Sequence, residues 1–277
     1  MGLDFNRVFG KSVRYPLAKD AFILMFAVQL VFATAAWFVS GYFLGDMGSA
    51  VFSGEEMPSL ESLMPFMIYS TPLMIVTWIF MILLMPAYLE NSLAYFSGKR
   101  KTLSGDLGAS KKRFLPLLAL CLIIGLILLA CFGGIFLVAF AMLTGASFLL
   151  VAAGGLWFAV GLVAGVIIMF MTTVSPVISV FEKHGALDAI KKSWKMIAKN
   201  KLNTFIFYVL LGAVVFAVTV IGTMPETFYT VLSGDTSMLS IPSLVFMIIR
   251  TAIQTYVALL TYAALVGFYA AIKKTKT

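Results

Sequence analysis

Very few residues in this sequence could support acid–base, nucleophilic or metal chemistry. His184 is the single histidine, which excludes metal sites built on histidine pairs and Ser-His-Asp triads. Cys121 and Cys131 lie in one apolar run, too far apart along a helix to form a disulfide bond. Because the long apolar stretches also hold no Asp or Glu, we predict a protein that is not an enzyme and needs no metal or cofactor.

Arg250 is the one charged residue within the long apolar stretches. It follows Pro242 by about 12 Å of helix, and Gln254 lies one turn later on the same face. An arginine deep in a span costs at least about 2.5 kcal/mol unless it is paired, so we expect a carboxylate partner from Asp46, Glu226 or another acid outside the spans. Arg250 and Gln254 either form a site for an anion or phosphate headgroup, or Arg250 is structural and snorkels or binds backbone carbonyls.

The composition requires a membrane for the elements that carry these residues. Of the 277 residues, 61% are hydrophobic and 12% are charged, whereas a soluble domain is about half apolar and about a quarter charged. This balance excludes a soluble enzyme, a secreted disulfide scaffold and a disordered chain. A crossing takes about 20 residues, and the stretches long enough are 21–45, 64–89, 114–181, 204–224 and 242–272.

The stretch at 114–181 is long enough for two or three crossings. The basic residues 111–113 precede it and Lys183 follows it, so both ends are expected in the cytoplasm and the number of crossings must be even. We therefore predict two helices of about 45 Å, with a turn near 144–147. Each exceeds the hydrocarbon core of about 30 Å, so we expect tilt, projection beyond the bilayer, or a break at 133–134 or 154–155.

The predicted fold is therefore an all-α, polytopic membrane bundle with six transmembrane helices in one domain, 1–277. With both termini in the cytoplasm, every Lys and Arg except Arg250 lies on the inner side. The outer side then carries only the acids Asp46, Glu55, Glu56, Glu61, Glu226 and Asp235. Such segregation follows the positive-inside rule and predicts a multi-pass protein of the cell inner or plasma membrane.

Two basic segments indicate an internal repeat. Residues 105–113 and 185–193 are identical at five of nine positions, although the shared composition of basic loops could also produce this match. We predict three parallel units, each a cytoplasmic amphipathic helix followed by a transmembrane hairpin. The units are approximately 3–100, 103–182 and 185–277.

The amphipathic segments are expected to lie in the membrane interface, with apolar side chains toward the acyl chains. In the third segment an apolar stripe recurs at helical spacing at Leu187, Ile190, Trp194 and Ile197. Each basic residue near anionic headgroups contributes about 1 kcal/mol; ordinary positive-inside flanking without lipid specificity is the alternative. The residues predicted to contact headgroups are Arg7, Lys11, Arg14, Lys111, Lys112, Arg113, Lys191, Lys192 and Lys195.

The junction before the fifth span carries a family resemblance. Pro176-Val177-Ile178, then Glu182, then the run Ala186-Leu187-Asp188-Ala189-Ile190-Lys191-Lys192-Ser193-Trp194 leads directly into that span. This pattern resembles the six-span membrane domain of some glycerophosphodiester phosphodiesterases and related prokaryotic six-helix membrane proteins. The resemblance implies a six-helix module with interfacial helices. The sequence departs from the phosphodiesterase architecture, because we expect no residues to remain for a soluble catalytic domain.

Two functions follow from these features. The leading prediction is a non-enzymatic integral membrane module that interacts with lipid or serves as an accessory or scaffold subunit of a membrane complex. Its expected partners are membrane lipids, anionic on the cytoplasmic side, and another membrane protein, but not nucleic acid. The alternative is a transporter or lipid translocase that recognises an anionic group near Arg250. A polar crevice reaching Arg250 between helices would favour transport, and a closed apolar bundle would favour the module.

Overall fold

The computed structural model of the protein describes residues 4–17, 19–52, 60–98, 103–144, 148–233 and 240–274. Within these ranges the chain is helical apart from short connections and contains no strand, so the all-α prediction is confirmed. The helices are α1 (Phe5–Arg14), α2 (Lys19–Phe52), α3 (Leu60–Phe96), α4 (Leu103–Phe132), α5 (Gly134–Thr144), α6 (Phe148–Thr172), α7 (Ser175–Phe181), α8 (Ala186–Lys199), α9 (Lys201–Ser233) and α10 (Ile241–Lys274). A short 3₁₀ helix, Tyr15–Leu17, connects α1 to α2.

Six segments of these helices are long and apolar enough to cross a membrane, as predicted. They are Asp20–Tyr42, Met64–Phe96, Ser110–Phe132, Phe148–Phe181, Lys201–Tyr229 and Ile241–Lys273. Large apolar side chains such as Leu156, Val163 and Phe216 are exposed on their outer faces. Apolar surface of this extent needs acyl chains rather than water around it, so the described residues form a multi-pass membrane protein with six candidate spans.

A break at Gly133 separates α4 from α5. This break lies at 133–134, one of the two glycine pairs at which a break was expected. At the other pair, 154–155, helix α6 is continuous. The carbonyl oxygen of Ala130 accepts hydrogen bonds from the Gly133 amide and from Nε1 of Trp157, at 3.4 and 3.1 Å. The end of α4 is therefore satisfied inside the protein, as a bilayer requires. Residues 145–147 of the predicted turn lie outside the described residues.

A second interruption lies at residues 173–174, between α6 and α7, where the sequence predicted one continuous helix. Its cause is Pro176, which has no N–H to donate to the carbonyl four residues earlier. Side chains satisfy the carbonyls that the interruption exposes. The hydroxyl of Ser175 donates to the Thr172 oxygen at 2.5 Å, and the hydroxyl of Ser193 on α8 donates to the Met171 oxygen at 2.7 Å.

Helix α10 is the central element of the bundle. It packs against α1, α2, α3, α7 and α9. The larger buried core lies toward its C-terminal end, where the rings of Phe207 and Phe268 stack with their centroids 4.2 Å apart. Val177 of α7 and Ile197 of α8 are completely buried beside them. Packing of the short helices α7 and α8 thus closes one end of the bundle.

The three segments predicted to be amphipathic helices differ in the structure. α1 and α8 are separate helices, and each buries one face, which includes Val8 on α1 and Ile197 on α8. The second segment is not a separate helix: residues 103–113 form the first turns of α4, which continues through Pro116 into the span. The prediction of a separate helix there is wrong, because residues 109–115 hold no glycine or proline that would end a helix.

The glycines of α6 allow it to approach α4 closely. A Cβ atom on Gly161 would overlap the backbone carbonyl of Cys131, whereas a Cβ atom on Gly155 would meet no atom within 4 Å. We expect Gly161→Ala to lower the free energy of unfolding by about 1–3 kcal/mol, because backbone must move to admit the methyl group. Thermal unfolding in nanodiscs measures this effect, with Gly155→Ala as the matched control on the same helix. Equal midpoints for the two variants would contradict this helix contact.

Candidate functional site

Arg250 lies on α10 opposite α9, and its guanidinium forms an ion pair with the carboxylate of Glu226. The carboxylate partner expected for this arginine is therefore present. Glu226 was expected in a loop, but α9 continues past Pro225 to Ser233, so the carboxylate lies on a spanning helix. The helix carries Glu226 beyond the apolar stretch 204–224, because one internal proline removes a single hydrogen bond without ending the helix.

Polar side chains continue from Arg250 along α10 toward α2. The hydroxyl of Thr255 donates to Oε1 of Gln29 at 2.5 Å. Nearer the start of α10, Nε1 of Trp37 donates to the hydroxyl of Ser243 at 2.9 Å. These two hydrogen bonds hold α2 and α10 together on both sides of Arg250. Polar contacts of this kind between spanning helices contribute about 0.6 kcal/mol each.

Between these two hydrogen bonds lies a cavity of about 460 Å³. We call it the polar cavity because it contains the ion pair, although apolar atoms form the larger part of its wall. It contains both members of the ion pair and the exposed side chain of Gln254, one turn after Arg250. Its other lining residues are Ala33, Ala36, Trp37, Ser40, Ser243, Met247 and Thr251. The structure thus brings the two predicted anion-site residues, Arg250 and Gln254, to one cavity. The acid beside them makes the local charge balanced rather than positive.

The polar cavity adjoins a larger, mainly apolar chamber of about 690 Å³ between α2 and α3. The two share Ala33, Ala36, Ser40 and Gln254, and we call them together the crevice. The remaining chamber residues are Gln29, Phe32, Val39, Phe66, Ser70, Thr71, Leu73, Met74, Thr77, Trp78 and Met81. A third cavity of about 410 Å³ lies on the α9 side of Arg250. The bundle is therefore not closed around this arginine.

Met81 lines the chamber and also packs against a buried cluster near the start of α2. Tyr15, Met25, Tyr88 and Leu259 are almost completely buried there, and they come from the 3₁₀ helix, α2, α3 and α10. The hydroxyl of Tyr15 donates to Oδ1 of Asn91 at 3.2 Å. We call this cluster the floor of the crevice, because its contact with Met81 joins it to the chamber.

The basic stripe predicted on α1 forms one side of a surface groove. Arg7, Lys11 and Arg14 line an open cavity of about 460 Å³, and Tyr95 of α3 lies in the same lining. Arg7 and Arg14 are exposed, whereas Nζ of Lys11 donates to the carbonyl oxygen of Phe96 at 3.1 Å. Lys11 therefore also caps the C-terminal end of α3, where a cation is favourable.

The other predicted headgroup residues lie on α4 and α8. On α4, Lys111 and Lys112 are exposed and Arg113 is half-buried. On α8, Lys191 and Lys195 are exposed beside Trp194. Lys192 has a structural contact instead, because its ammonium forms an ion pair with Glu182. The prediction grouped all three lysines together, but Lys192, whose side chain is 43% exposed, differs from the other two in pairing with Glu182.

Glu182 is the centre of a polar cluster that the sequence analysis did not identify. Its side chain is only 12% exposed, and it accepts hydrogen bonds from the hydroxyl of Tyr269 at 2.5 Å and from Nζ of Lys273 at 2.9 Å. Lys192 pairs with it from α8, and Nε2 of His184 lies 3.4 Å from its other oxygen. We call these residues the Glu182 cluster, and it joins α8 and the end of α10 to the loop after α7. The cluster could not be identified from the sequence, because Lys273 and Glu182 are far apart in the chain and come together only in the folded protein.

The charge on Glu182 is stabilised by its neighbours. Burial alone would raise its pKa, but the hydrogen bonds from Lys192, Tyr269 and Lys273 outweigh burial and lower the pKa from 4.5 to about 2. The carboxylate is therefore ionised throughout the physiological range. This makes the cluster a fixed electrostatic contact and not a proton carrier.

Comparison with protein-family models, curated proteins and solved structures finds no match to this chain. The resemblance of residues 176–194 to the membrane domain of glycerophosphodiester phosphodiesterases therefore stays a prediction. Function has to be inferred from the crevice, the basic surfaces and the Glu182 cluster themselves.

Stability at low pH provides a test of the Glu182 cluster. A carboxyl whose pKa is lowered on folding stabilises the protein above its unfolded pKa of 4.5, and this stabilisation is lost as the pH falls from there to about 2. We expect Glu182→Gln to lower stability by about 2 kcal/mol at pH 7 and to flatten the decline in this window. Thermal unfolding measured from pH 7 to pH 2 checks this, with exposed Asp188→Asn as the control. A wild-type profile in Glu182→Gln would contradict the assignment.

The lysines of α8 are predicted to separate into two roles. Lys192→Gln should lower the thermal midpoint because it removes an ion pair from the Glu182 cluster. Lys191→Gln combined with Lys195→Gln should leave the midpoint unchanged and weaken retention of anionic lipid by about 2 kcal/mol, at about 1 kcal/mol per charge. Unfolding and lipid mass spectrometry on the same nanodisc samples measure both effects. Identical behaviour of the two variants would refute this division.

Proposed function

We propose that this protein is a non-enzymatic integral membrane module that binds lipid, with the crevice as its principal lipid site. The observation that carries the proposal is the junction of a polar cavity containing Arg250 with a mainly apolar chamber. An amphiphile needs both environments, since its charged head requires polar partners and its chain requires apolar walls. A free ion or polar solute would gain no favourable contacts from the apolar walls of the chamber.

The proposed membrane arrangement is three hairpins with both termini in the cytoplasm of the cell inner or plasma membrane. Contacts between neighbouring spans support it: α2 packs against α3, α6 against α4 and α5, and α9 against α10. Charge supports the orientation, because the basic residues other than Arg250 then lie on the inner side. In this arrangement the polar cavity lies in the outer half of the bilayer.

We propose that α1 and α8 lie at the inner interface and hold anionic headgroups. On α8 the exposed side chains Leu187 and Trp194 lie beside Lys191 and Lys195, while the opposite face is buried in the bundle. Tryptophan and leucine next to lysine suit the boundary between acyl chains and headgroups. The Arg7 and Arg14 groove on α1 supplies further positive charge. An accessory role beside another membrane protein is compatible with this lipid-binding function.

The second candidate function is a transporter or lipid translocase. The crevice favours it, because a cavity that reaches Arg250 between helices is what translocation would need. The floor formed around Tyr15 and Tyr88 packs against the chamber residue Met81. Transport would therefore require a second conformation in which this buried cluster separates. Fluorescent-lipid scrambling in proteoliposomes distinguishes this function from lipid binding alone.

Substitution of Arg250 tests the lipid site. We expect Arg250→Gln to reduce retention of phospholipid by about tenfold, the effect of losing one charge-assisted hydrogen bond. The measurement is mass spectrometry of lipids that remain with the protein after purification from native nanodiscs. Arg250→Lys preserves the charge and should recover part of the retention, and Lys201→Gln removes a cation at an exposed position on α9 as the control.

A folding defect must be separated from loss of the site, because Arg250→Gln leaves Glu226 without its cation. The double variant Arg250→Gln/Glu226→Gln removes both charges together. Its free energy of unfolding should stay within about 1 kcal/mol of the wild-type value. If this folded double variant retains as much lipid as the wild type and scrambles lipid equally, the proposed site is wrong.

A further inference from the structure

We infer that the lipid of the crevice is a zwitterionic phospholipid with a primary ammonium group, that is, a phosphoethanolamine headgroup. This inference rests on the proposed function and names its ligand. Arg250 holds the phosphate, Glu226 holds the ammonium, and the acyl chains occupy the apolar chamber.

The charge balance of the polar cavity argues against a purely anionic ligand. Arg250 and Glu226 form an ion pair and both line the cavity. An anionic headgroup at Arg250 would lie against the Glu226 carboxylate and be repelled by it. A headgroup that carries both charges, two carbon atoms apart, presents a complementary charge to each side chain.

Both side chains of the pair keep surface that a ligand can reach. The side chain of Arg250 is 50% exposed and that of Glu226 is 33% exposed. A guanidinium has five N–H donors, so Arg250 can donate to a phosphate while the pair persists, and the exposed part of the Glu226 side chain is accessible to an ammonium group. A primary ammonium donates hydrogen bonds to a carboxylate. A quaternary ammonium has no proton to donate, which favours phosphoethanolamine over phosphocholine.

Trp37 adds a further attraction for the ammonium group. Its ring lines the polar cavity, and its Nε1–H is already bound to the hydroxyl of Ser243 at 2.9 Å, which fixes the ring orientation. The π face of a fixed indole attracts cations. The cavity thus provides Arg250 for the phosphate and Glu226 for the ammonium, with the indole of Trp37 in the same lining.

Small side chains connect the headgroup position to the chamber. Ala33, Ala36 and Ser40 lie on one face of α2 and line both cavities. Because these side chains are short, a chain attached to a headgroup at Arg250 can pass across them toward Phe32, Met74 and Trp78. A large residue at Ala36 would obstruct this passage without touching the ion pair.

The test is lipid competition in the intact protein. Wild-type protein is placed in nanodiscs with equal amounts of phosphatidylethanolamine, phosphatidylglycerol and phosphatidylcholine of the same acyl chains, and retained lipids are quantified by mass spectrometry. We expect phosphatidylethanolamine to be enriched by about tenfold over each of the other two. Glu226→Gln should abolish the preference over phosphatidylglycerol, and Arg250→Gln/Glu226→Gln should retain the three lipids equally and weakly.

The outcomes distinguish an error in the identity of the lipid from an error in the location of the lipid site. Phosphatidylglycerol or phosphatidylcholine retained as strongly as phosphatidylethanolamine by the wild type would overturn the inference and leave the proposed lipid site intact. Retention in Ala36→Phe equal to that of the wild type would overturn the lipid site itself, provided circular dichroism shows that both are folded.

Discussion

Within a bilayer every polar group must find its partner inside the protein, and the polar contacts of this structure follow from that constraint. At the two helix interruptions, the indole of Trp157 and the hydroxyl of Ser193 donate to carbonyl oxygens of α4 and α6. The same requirement explains why Arg250 on α10 lies against Glu226 on α9. Side chains that look incidental in the sequence therefore determine where helices can break and which helices are neighbours.

The two charged sites at the ends of α10 differ in what they can do. At its C-terminal end the nearly buried Glu182 is bound by Tyr269, Lys192 and Lys273, an arrangement that fixes α8 to the bundle. Near its start the Arg250–Glu226 pair is half-exposed and lines a cavity. A nearly buried carboxylate held by several partners provides rigidity, whereas an ion pair with exposed side chains is accessible to a ligand. This difference in exposure is why the proposed lipid site lies at Arg250.

Much of the architecture could be predicted because hydrophobic length and charge are local properties. Six candidate spans follow from apolar runs and basic flanks, and the break at Gly133 lies at one of the two glycine pairs that were named as alternatives. The predictions that were wrong depended on helix continuity: α4 begins without a separate amphipathic helix, and α9 extends past Pro225 to include Glu226. Polar or proline-containing residues at the end of a span are a weak boundary signal, because helices often project beyond the hydrocarbon core.

The sequence by itself determined that this chain is a six-span helical membrane protein and that Arg250 needs a carboxylate partner. Composition and spacing are enough for these conclusions, because the costs of exposing polar groups to lipid act on each segment separately. Only the tertiary structure decided that Glu226 is that partner, that Lys192 serves the Glu182 cluster, and that Arg250 and Gln254 share a crevice with α2. These facts depend on how helices distant in sequence pack together, and packing geometry cannot be read from any single span.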